Sequence, residues 1–97
     1  MKLSEARSFF EVCRKRGENA FIIRKHCWKD HPERRFSPIE LLNLLLGSGR
    51  LKSNPFPSAK PDSFLWCCKD RAGKNVEIAV IFESAKITAI AISAYRK

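Results

Sequence analysis

The chain has 97 residues, 44% of them apolar, with seven Phe and two Trp against 30% charged side chains. That is enough for one modest core, not for two, and it is too apolar for a disordered tail. The net charge of +9 favours polyanionic partners such as RNA, DNA or an acidic protein. Residues 1–20 lack the unbroken apolar segment of a secretion signal, and no stretch reaches the roughly 18 apolar residues of a membrane span. A cytoplasmic chain without membrane contact is therefore expected, with Cys13, Cys27, Cys67 and Cys68 as reduced thiols. The basic excess is uneven: +5 in residues 1–35, +1 in 36–62 and +3 in 63–97.

The first element is predicted as an amphipathic helix over residues 4–16. Ser4 is the candidate N-cap, Leu3, Ala6, Phe9, Phe10 and Cys13 recur at helical spacing, and Gly17 sits where a stop falls. The apolar run Phe21-Ile22-Ile23 fits a short strand or the approach to a second helix. Pro32 disfavours helical geometry at His31, so a broken or restarted helix is expected between Lys25 and Arg35. In SPIELLNLLLGSG, Ser37 reads as N-cap, Pro38 as first helical residue and Glu40 as capping-box partner. Five leucines and Gly47 complete a largely buried helix.

The stretch KSNPFPSAKPD, with Pro55, Pro57 and Pro61, is loop chemistry and separates helices from strands. Beyond it SFLWCCK, NVEIAVIF and KITAIAISAY, spaced by DRAGK and ESAK, form the pattern of three antiparallel strands joined by hairpins. Val76, Ile78, Val80 and Phe82 alternate with Glu77 and Glu83, so one face of that strand belongs to the core. Ala89, Ala91 and Ala94 leave room for a helix to lie close. The expected fold class is α+β, with N-terminal helices packed on a C-terminal antiparallel β-meander.

The segment KHCWKDHPERRFS gathers His26, His31, Arg34 and Arg35. His26, Arg34 eight positions on, Phe36-Ser37, the helix bearing Glu40, Gly49-Arg50 and the closing meander together resemble a family of small bacterial domains. Those domains carry His-Ala, a later Arg-Gly-Ile-Ser/Thr, an acidic residue in the following helix, and a sheet ending in Val/Ile-x-Thr-x-Tyr. They are similar to BrnT-like toxins and, more remotely, to the RelE/barnase-like ribonuclease fold. The resemblance covers residues 21–97 of a single domain and leaves residues 1–17 as a helical extension. It departs at Cys27 (Ala in the family), Asp30 (usually Arg) and Arg35 (usually Gly).

The resemblance implies a ribonuclease-toxin-like domain that cleaves RNA without metal or cofactor, held in check by an acidic antitoxin protein. His26, Arg34 and Tyr95 are the catalytic residues it carries over, with Arg96 beside the terminal aromatic. The chemistry fits these side chains: a histidine serves as general acid or base, arginines clamp phosphate, and a tyrosine donates a proton or stacks on a base. Lys25, Arg35, Arg50 and Arg96 are the candidate substrate-binding cations. The blander readings are a packing role for His26, a solvated turn for His31, a wet helix face for Arg34 and Arg35, and an edge aromatic at Tyr95. Cys67 and Cys68, adjacent on a strand, point to opposite faces and make a poor zinc pair. A non-catalytic module of the same fold, binding nucleic acid or protein, is the alternative, and Asp30 favours it.

Overall fold

The computed structural model describes residues 1–28, 36–55 and 63–96. Along the chain these form α1 (Leu3–Arg16), β1 (Phe21–Ile23), α2 (Pro38–Leu46), β2 (Gly49–Ser53), β3 (Phe64–Lys69), β4 (Asn75–Glu83) and β5 (Thr88–Arg96), with short 3-10 turns at Glu18–Ala20, Lys25–Cys27 and Ser84–Lys86. The architecture is α+β: two helices and one five-stranded sheet of order β1-β5-β4-β3-β2. Strands β3, β4 and β5 form the expected antiparallel meander, and β2 adds a fourth antiparallel strand before the proline-rich stretch, taking in Lys52 and Ser53, which were expected in the loop. The sheet as a whole is mixed, because β1 joins β5 in parallel through Phe21–Ala89, Ile22–Ile90 and Ile23–Ala91. None of the described helices is long and apolar enough to cross a membrane.

Local chemistry accounts for most boundaries. Ser37 caps α2 by accepting the Glu40 N–H at 3.1 Å, and Pro38 opens the helix. The capping box is only half formed, since the Glu40 carboxylate turns instead to Arg96. The N-cap of α1 is Lys2 rather than Ser4, without a side-chain cap bond, while Gly17 ends the helix at φ 86° with its N–H directed at Cys13 and Arg14 carbonyls. In the β3–β4 turn Asp70 accepts the Lys74 N–H on its side chain at 2.9 Å and Gly73 adopts φ 79°.

Strand alternation and register sort the sheet into two faces. One carries Leu51, Phe64, Trp66, Cys68, Val76, Ile78 and Val80 and is closed by Ala6, Phe10 and Cys13 of α1 with Leu41 and Leu45 of α2. Phe10 sits at its centre, edge-on to Trp66 at 4.7 Å and to Phe21 at 5.8 Å. The Trp66 indole N–H donates to the Leu44 carbonyl at 2.8 Å, fastening β3 to α2. A register shift between Ala79 and Val80 changes the parity of β5. Ala94 thereby returns to the same buried face as Ala89 and Ala91.

Candidate nucleic-acid interface

The second sheet face is covered by neither described helix, and its register brings four side chains into a row. Arg50 of β2 stands opposite Cys67 of β3, Cys67 opposite Glu77 of β4, and Glu77 opposite Tyr95 of β5. Lys52, Lys69 and Asn75 share this face. Farther along it Leu65 and Ala79 are buried, so the accessible part lies at the end that carries the β3–β4 turn. There a cleft of about 620 Å³ is lined by Arg50, Lys52, Cys67, Lys69, Asn75 and Glu77.

Glu77 is the unusual member, a carboxylate only 8% exposed. Its Oε2 lies 3.6 Å from Lys52 Nζ and 3.7 Å from Cys67 Sγ. The lysine is half exposed while the carboxylate is not, so the ammonium stays hydrated but the buried carboxylate depends on it for compensation as long as it is ionised. A buried acceptor flanked by cations on one side and a phenol on the other can take a proton while neighbouring charges hold phosphate oxygens. Tyr95 is 39% exposed, which leaves its ring accessible.

The other predicted residues are distributed unevenly. His26 and Lys25 are exposed in the 3-10 turn that packs against β5, at the opposite edge of the sheet from Arg50. His31, Arg34 and Arg35 lie outside the described residues. Arg96, expected among the substrate-binding cations, faces the helices. Its Nε donates to Asp70 Oδ2 and its Nη2 to Glu40 Oε2, both at 2.9 Å, and its guanidinium lies over the Phe36 ring at 4.3 Å.

No family model matches the chain, and neither a curated protein nor a solved structure matches it. The residues themselves carry the reading.

Part of the basic excess is structural. Arg7 donates to the Leu51 carbonyl of β2 at 3.0 Å. Arg14 donates to the Leu46 and Gly47 carbonyls at the end of α2, at 3.1 and 2.6 Å. Arg16 holds the Lys86 and Ile87 carbonyls. Three N-terminal arginines thus pin backbone rather than await a polyanion, and the exposed cations that line the cleft with Glu77 are Arg50 and Lys52 of β2 and Lys69 of β3. Sequence reading left out Lys52, weighed Cys67 as a metal ligand, and took Glu77 only as the polar alternation of its strand. A glutamate inside the apolar strand NVEIAVIF was the available signal, but only the register reveals what it faces.

Proposed function

We propose that the open sheet face binds single-stranded RNA and that the chain cleaves it by metal-independent general acid/base catalysis, as a ribonuclease-toxin-like domain of RelE/barnase-like arrangement. The supporting observation is the row Arg50, Cys67, Glu77, Tyr95, in which a buried carboxylate stands between cations and an aromatic hydroxyl. Glu77 takes the proton of the 2′-hydroxyl, whose oxygen attacks phosphorus. Arg50 and Lys52 bind the non-bridging oxygens as charge builds on them, Lys52 being released from Glu77 as the carboxylate takes up the proton. Tyr95 donates a proton to the leaving 5′-oxygen or stacks on the adjacent base. An acidic antitoxin protein is the natural occluding partner for a cationic cleft of this kind.

The withdrawal of Arg96 into the helix-covered face favours a second reading, a non-catalytic module of the same fold that binds nucleic acid or protein. Incubation of single-stranded RNA with the protein in excess EDTA separates the two, with Arg50→Glu and Lys52→Glu as controls. Cleavage lost in both variants supports the enzyme. Salt-sensitive binding without cleavage supports the module, and neither cleavage nor binding removes both.

A further inference from the structure

We infer that Arg96 is a positioning residue, which by tying Glu40, Asp70 and Phe36 together on the helix-covered face keeps Tyr95 on the open face in line with Glu77. The inference rests on the reading of that row as a functional site. Consecutive strand residues point to opposite faces, so whatever fixes the Arg96 side chain on one side sets the direction of Tyr95 on the other. This stretch of β5 needs such fixing. Among the described residues β1 pairs with Ala89–Ala91, so Tyr95 and Arg96 have β4 as their one described strand neighbour, beyond a register shift at Ala79/Val80.

The clasp reaches three separate parts of the fold. Glu40 lies in the first turn of α2, Asp70 begins the β3–β4 turn, and Phe36 precedes the α2 cap. The two carboxylates are held by different nitrogens, Nη2 and Nε, each at 2.9 Å. Phe36 is 6% exposed, so the ring beneath the guanidinium is itself anchored in the core. A lysine ammonium keeps the charge but lacks the planar fork and cannot hold both acids and the ring face together.

The chain contains one tyrosine, so protein grown with 3-fluorotyrosine has a single ¹⁹F resonance that reports Tyr95. In Arg96→Met that resonance is expected to narrow and move toward the position of the free amino acid. Arg96→Lys and Glu40→Gln should shift it part of the way. With short single-stranded RNA as substrate, Arg96→Met should lower kcat by about a hundredfold with KM little changed, as for a displaced reacting group. An unaltered Tyr95 resonance in folded Arg96→Met overturns the inference. Should that variant not fold, unaltered resonances in both Arg96→Lys and Glu40→Gln overturn it equally. A wild type inert toward RNA defeats the proposed function and leaves the ¹⁹F comparison to decide the positioning role.

Discussion

Lys52 Nζ and Glu77 Oε2 stand 3.6 Å apart across β2 and β4, one side chain half in solvent and the other almost wholly out of it. A pairing so unequal in exposure keeps the ammonium in solvent while it compensates the buried carboxylate, and it separates at least cost once the carboxylate gains a proton. It is the arrangement a site needs if an anion is to enter beside a base.

Lys52→Met should weaken binding of single-stranded RNA and reduce the magnitude of the slope of log Kd against log salt by about one, since one phosphate contact is lost. Filter binding between 50 and 300 mM salt measures it. An unchanged slope would remove Lys52 from the interface.

The thiols should differ sharply in reactivity. Cys13, Cys27 and Cys68 are buried, whereas Cys67 is partly exposed in the cleft. Burial foremost, with the neighbouring Cys67 and Asp70 adding to it, pushes the Cys68 thiol up to about 11. Its thiolate fraction at pH 8 is then about one in a thousand. Burial also raises the Cys13 thiol. Iodoacetamide on the folded protein should therefore give one early adduct, at Cys67, and RNA should slow its formation. Mass spectrometry finding Cys68 alkylated first would contradict the burial pattern.

Acid should loosen the clasp. The Asp70 carboxyl is held below its ordinary 3.8 chiefly by the Lys74 N–H; desolvation opposes this, and the Arg96 guanidinium and the Ala72 backbone reinforce it. A depressed folded value means that the stability it contributes is present above about pH 4 and is lost as pH falls through the lower folded value. Thermal unfolding between pH 5 and pH 2.5 should thus decline more steeply for the wild type than for Asp70→Asn. Parallel acid limbs would show that Asp70 carries no such linkage.

Much of the fold was legible because it is encoded locally. The cap, proline and leucines of α2, and the alternation and turns of β3 to β5, each occupy a few consecutive residues. Two strands were less so: β2 was not foreseen, and β1 was readable only as a strand or the approach to a helix. In β2 only Leu51 is buried, so GRLKS has no periodicity to read. β1 is three residues long and finds its partner 68 positions away in β5. The same limit applied to the site. Arg50 and Tyr95 are conspicuous as residue types, but their alignment with Glu77 is a property of three strand registers. Arg96 looked like a phosphate ligand until Glu40 and Asp70, distant in sequence, were seen to occupy it.

Ile87 adopts φ 49°, ψ 58°, a left-handed conformation costly for a β-branched residue, and is 39% exposed. Ile87→Gly should relieve that strain at small loss of buried surface and stabilise the fold by about 1 kcal/mol. Urea denaturation with an unchanged m-value checks it. A lower midpoint would mean that the isoleucine side chain contributes more than its backbone costs.

The most direct test of the open face as a cleavage site is Glu77→Gln, which keeps the shape of the side chain and removes the proton acceptor. Cleavage of single-stranded RNA in EDTA should fall by roughly a hundredfold to ten-thousandfold, while RNA binding is retained or slightly tightened by the loss of a negative charge. Cleavage by Glu77→Gln at the wild-type rate would contradict the account.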